Sequence, residues 1–150
     1  MLNMVSSDEG VCSSSSNLMN AICHLSRPSE IVLILMDILR EHRQQLKVVI
    51  AALEVLVVLL KEENDYCNKN ANVLETCLKI VEILQDNSNN MDVIMPSIAV
   101  MLAMRDKNFD GMMKALVFLK SNQLNLVRKL FAQFAPDFEN DILKNVLNEQ

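Results

Sequence analysis

Residues 47–65 read KVVIAALEVLVVLLKEEND, and the thirteen positions from Val48 to Leu60 hold a single polar side chain, Glu54. Thirteen helical residues span about 20 Å, against about 30 Å of bilayer hydrocarbon, and a carboxylate at the midpoint is expensive in lipid. The segment therefore reads as a buried helix of a globular protein, not a membrane span. Lys47, Glu54 and Lys61 are seven residues apart, so they fall on one narrow stripe with Ala51 and Val58 between them. A helix with one thin wet edge has apolar sides that only other helices can cover, on at least two flanks.

The rest of the chain agrees with an all-α fold. Its 150 residues fit one domain. Half of them, 51%, are apolar, and Gly10 and Gly111 are the only glycines. A sheet protein of this size needs many glycine and Asn-Gly turns, and these are missing. The formal charge of −5 counts against a general nucleic-acid binder, which is basic. Cys12, Cys23, Cys67 and Cys77 have no C-x-x-C spacing and read as reduced thiols. With no N-x-S/T sequon and no apolar signal-peptide core, an intracellular protein, in cytoplasm or nucleus, is expected. Residues 1–15 form a Ser-rich stretch too polar to offset its ordering entropy, so a flexible leader is expected, followed by one helical domain over 16–150.

Breaks along the chain divide that domain. NLMNAICHLS (17–26) is a short helix. SRPSEIVLILMDILREHRQ starts at a Ser and Pro28, residues suited to a helix start, with Glu30, Asp37, Glu41 and Gln44 recurring at helical spacing. A very short joint near Gln44 leads into the apolar helix. EENDYCNKNAN (62–72) reads as the clearest loop. Val73, Cys77, Ile80, Val81 and Leu84 then mark one face of an amphipathic helix. NSNN (87–90) and DKNFDG (106–111) are further breaks, with Pro96 in the helix between them. The last helix follows Pro136, with Asp137 as its cap and Phe138, Ile142, Leu143 and Val146 as anchors.

Helices are thus expected to begin near 29, 44, 71, 91, 109, 123 and 137, and pair starts at 29, 71 and 109 lie 42 and 38 residues apart. Repeats of this kind run about 40–47 residues in the armadillo and HEAT families. In period and architecture the chain resembles that superfamily. The resemblance covers about 120 residues and carries no repeated sequence signature. It implies antiparallel helix pairs stacked as a short right-handed solenoid of about seven or eight helices, with the more apolar second helix of each pair inside. A central apolar helix wrapped by amphipathic ones also resembles Bcl-2-like domains, although the Asn-Trp-Gly-Arg type of segment is missing, since the chain has no Trp.

No catalytic arrangement emerges. His24 and His42 are the only histidines, and neither has Glu or Asp three positions earlier. Cys23 and His24 are adjacent, so on a helix they point about 100° apart and do not face each other. Two glycines cannot build a phosphate-cradling loop. A non-enzymatic protein without cofactor or metal is expected. Two features suit binding. Met91, Met95, Met101, Met104, Met112 and Met113 fall within 23 residues, and thioether chains either fill cores or line adaptable grooves. Lys114, Lys120, Arg128 and Lys129 supply local positive charge. The candidate binding residues are therefore Met91, Met95, Met112, Met113, Lys114, Lys120, Arg128 and Lys129. The expected role is a scaffold that holds a partner protein's helix or extended peptide, or that self-associates as a subunit. The alternatives are an electrostatic binder of nucleic acid or tubulin through a basic patch, and a Bcl-2-like helix-in-groove regulator.

Overall fold

The computed structural model describes residues 27–147, which form seven α-helices and one 3-10 turn with no strand. The helices are α1 (Pro28–Glu41), α2 (Leu46–Lys61), α3 (Asn70–Asp86), α4 (Met91–Lys107), α5 (Phe109–Val117), α6 (Ser121–Phe134) and α7 (Pro136–Asn145), with the 3-10 turn at Tyr66–Asn68. The all-α expectation holds, and each start lies within two residues of the position read from sequence. The leader, the segment NLMNAICHLS, Cys12, Cys23 and His24 lie outside the described residues. No helix among those described is long and apolar enough to cross a membrane.

Several helix starts have a local cause. Pro28 opens α1, and the Arg27 backbone N–H donates to Glu30 Oε1 at 3.0 Å. Asn90 caps α4 by accepting from the Asp92 N–H at 3.0 Å. Pro96 sits inside α4, where it removes the donor for the Asp92 carbonyl. In α7 the cap position is Ala135 and Pro136 is the first helical residue, so Asp137 favours the helix as first-turn negative charge and not as a cap. Leu143 also departs from expectation. It follows buried Ile142 by one residue, a rotation of about 100°, and is 39% exposed.

The apolar α2 organises the packing. Val49, Ala52, Leu53, Leu56, Leu59 and Leu60 are buried, while Lys47, Ala51, Glu54, Val58 and Lys61 are exposed, as the seven-residue spacing requires. Its largest interface is with α4, and the second largest among the described helices joins α3 to α5. Polar contacts align these helices end to end. Lys107 Nζ at the end of α4 donates to the Glu62 carbonyl at the end of α2, 2.9 Å away, so the two helices run side by side in the same direction. At the other edge Arg43, in the α1–α2 corner, reaches Asp86 at 2.5 Å and Glu82 at 3.4 Å on α3, and these carboxylates hold its guanidinium above its ordinary pKa.

The segment 62–72 is not an open loop. Asn64 Nδ2 donates to the Leu59 carbonyl at 2.8 Å, its Oδ1 accepts from the Tyr66 N–H at 3.0 Å, and Asn72 Nδ2 donates to the Tyr66 carbonyl at 2.9 Å. Asparagine side chains here replace missing backbone partners. The resulting turn buries Tyr66 and Cys67, and the Tyr66 hydroxyl lies 2.8 Å from Thr76 Oγ1 in the core.

The carboxyl-terminal third departs from simple pairing. α6 makes its principal contact with α7, and its contact with α5 is slight. Only Ala135 separates α6 from α7, and Phe131 stacks on Phe138 with centroids 4.2 Å apart and planes 15° from parallel. Arg105 of α4 lies over the Phe138 ring at 5.0 Å and reaches Asp141 at 3.7 Å, which ties α7 to the end of α4. The expectation that the helices beginning near 109 and 123 form a third pair is thereby corrected.

Asn108 joins the start of α5 to the 3-10 turn and to the start of α3. Its Nδ2 donates to the Cys67 carbonyl and to Asn70 Oδ1, both at 2.8 Å, and its Oδ1 accepts from the Gly111 N–H at 2.9 Å. A Cβ on Gly111 would sit 2.5 Å from Asn108 Nδ2 and 2.6 Å from Asn70 Oδ1. In an exposed helix Gly→Ala stabilises by up to about 1 kcal/mol. Here Gly111→Ala is expected to destabilise by about 1–2 kcal/mol, because about two net hydrogen bonds are lost. Urea unfolding reads the sign directly, and stabilisation would mean that the asparagines move aside freely. The same measurement tests the orientation of α2. Leu53→Ala is expected to remove about 2–5 kcal/mol, and Glu54→Gln under about 0.5 kcal/mol.

Candidate functional site

The six clustered methionines divide sharply. Met101, Met104, Met112 and Met113 are buried, whereas Met91 and Met95 are each 47% exposed. Met112 and Met113 therefore fill the core and do not offer a surface to a partner. Their helix, α5, is wedged between α3 and α4, and neighbouring Ala115 and Leu116 are buried with them. Met91 and Met95 are one turn apart, so they present their thioethers on the same side of α4.

The basic candidates do not combine into a patch. Lys114 pairs with Asp110 at 3.0 Å, and Arg128 pairs with Glu139 at 3.2 Å. Arg40 is engaged by Asp37, and Arg43 by Asp86 and Glu82. Lys120 and Lys129 are exposed, nine residues apart on the amino end and the middle of α6. Sequence counting missed these pairings because three of the partners lie eleven or more residues away.

Exposed apolar side chains occur on α1 (Leu33, Ile34) and around the end of α5 (Val117, Phe118), and on α2 and α4, where they alternate with charges. Val58, 55% exposed, and Ala51 lie on the outward stripe of α2 with Lys47, Glu54 and Lys61. Met91, Asp92, Met95 and Asp106 are exposed on α4, and Ala99 and Leu102 are half-buried between them. The two helices pack against each other with their carboxyl ends joined, and each carries an exposed stripe. Apolar groups thus alternate with charges along each of two packed helices. Beyond the amino end of α4, residues Asp86 to Asp92 surround an open, largely polar depression of about 510 Å³. Asn87 and Asn90 spend their side chains there on the Ile83 carbonyl and the Asp92 N–H.

Reactive groups are suppressed. Burial pushes the Cys67 thiol up to about 11 and the Cys77 thiol up to about 12, and burial also raises Tyr66. Neither cysteine is then a thiolate nucleophile near neutrality. Among the described residues no group of three His, Cys, Asp or Glu side chains is placed to hold a metal ion. No protein-family model, curated protein or solved structure matches the chain.

Exposure predicts the order of oxidation. Under limited peroxide treatment Met91 and Met95 are expected to become sulfoxides first, while Met36, Met101, Met104, Met112 and Met113 resist until unfolding, as peptide mass mapping will show. The thiols make a pH prediction. Both have folded values above the ordinary 9.0, so the unfolded chain releases those protons first. Stability is therefore unaffected by these groups below pH 9.0 and falls as pH rises from there through about 11 and about 12. Replacing Cys77 by Ala is expected to flatten that decline in urea titrations run at successive pH values.

Proposed function

We propose that this chain is a non-enzymatic interaction scaffold, a short stack of helix pairs of the armadillo/HEAT kind, that seats a helix of another subunit on the α2–α4 face. The stacking reading is supported by the two largest interfaces, α2 with α4 and α3 with α5, each joining a helix to the next but one in sequence. That is the neighbour relation a solenoid of pairs requires. The departure at α6 and α7 suits a closing unit, in which the last two helices fold on each other instead of awaiting a further repeat.

The observation that carries the binding reading is the exposure of Val58, Met91 and Met95 on two adjacent, parallel helices. Apolar anchors supply affinity, and the flanking Lys47, Glu54, Lys61, Asp92 and Asp106 set register. The electrostatic alternative is weakened by the engagement of Lys114 and Arg128 in ion pairs.

Capture from native extract tests the proposal. The wild type is expected to retain a protein in about 1 M salt, where charges are screened beyond about 3 Å. The paired substitution Met91→Glu with Met95→Glu should abolish that retention while leaving the helical circular dichroism unchanged. Capture that vanishes in salt, ignores the methionine substitutions and depends on Lys120 and Lys129 would replace this reading with the electrostatic one.

A further inference from the structure

Resting on the scaffold reading, we infer that the subunit seated on α2 is a second copy of this chain, joined antiparallel through the Glu54–Val58–Lys61 stripe about a two-fold axis. Charge order on α2 selects a second copy. Lys47, Glu54 and Lys61 run positive, negative, positive along the exposed edge of α2, and none of them takes part in an ion pair among the described residues. Being seven residues apart, they share one side of the stripe. In antiparallel helices that side meets the same side of the other copy, so charges at these positions face one another.

Only certain alignments satisfy them. A parallel arrangement in register sets every charge against its like. A two-fold axis at Glu54 sets Glu54 against Glu54 and Lys47 against Lys61 of the second copy. Moving the axis to lie between Val57 and Val58 places Glu54 opposite Lys61 and, by symmetry, Lys61 opposite Glu54. The same alignment brings Val58, the most exposed apolar side chain of α2, against its own copy at the centre. The competing register pairs Lys47 with Glu54 around Ala51 and buries a methyl where the first buries an isopropyl group. An isologous contact needs this kind of self-complementary patch. One helix of 16 residues, about 24 Å long, makes a small interface, so a reversible dimer is expected and not a permanent one.

Sedimentation of the full chain decides the matter over about 1 µM to 1 mM, the range that corresponds to weak and moderate association. The wild type is expected to pass from monomer to dimer within that range. Glu54→Lys and Lys61→Glu should each weaken the dimer at least about tenfold, because each creates two like-charge contacts. The double substitution, on one chain, exchanges the charges and should return the dimer to within about threefold of wild type, since both pairs re-form with reversed sign. Val58→Glu should abolish it. Helical circular dichroism controls for folding, which these exposed positions are expected to preserve. A chain that stays monomeric to 1 mM, or a double variant as weak as the single ones, overturns the inference. A monomer whose capture of another protein still depends on Met91 and Met95 would leave the scaffold reading standing and remove only the second copy.

Discussion

The α2 helix sets the terms for everything around it. Six of its sixteen residues are buried and only a narrow edge is wet, so it cannot persist without helices along both flanks and beneath it. Each large aliphatic side chain it buries contributes about 1.5–3 kcal/mol relative to exposure. The α1 hairpin supplies one cover and α4 the other. Once α4 lies beside α2, α3 and α5 are brought together behind them.

Polar groups then determine how the helices meet, although they contribute little area. The Lys107–Glu62 contact joins two carboxyl ends, Asn108 joins the start of α5 to the start of α3, and Arg43 joins the first corner to the end of α3. Hydrophobic burial is non-directional and tolerates sliding. Hydrogen bonds at helix ends do not, because a shift of one residue leaves a donor or acceptor unmatched. Gly111 shows the same demand from the backbone side, since the asparagine junction occupies the space its Cβ would need.

These pairings also shape what the surface can do. A count of basic residues suggests a positive region from 114 to 129, yet folding couples Lys114 and Arg128 to acidic neighbours. Along α2 and α4 exposed apolar groups stand among charges, of which Asp106 is engaged by Arg105.

The sequence by itself determined the helical class, the helix starts and the wet edge of α2, because helix periodicity and the Pro and Asn breaks are local properties of the chain. Val73, Cys77, Ile80, Val81 and Leu84 were legible as one buried face for the same reason. The tertiary structure alone decided that Met112 and Met113 are core while Met91 and Met95 are surface. Two methionines of identical chemistry differ only in which neighbouring helix covers them. It also decided that Tyr66 and Cys67 fold inward from a stretch rich in polar residues, because their partners, Thr76 and the asparagine side chains, act through geometry that a linear reading does not contain. The choice of α7 over α5 as the partner of α6 rests on Phe131, Phe138 and Arg105, three residues spread over 34 positions, and contacts between distant residues are set by packing, which periodicity does not encode.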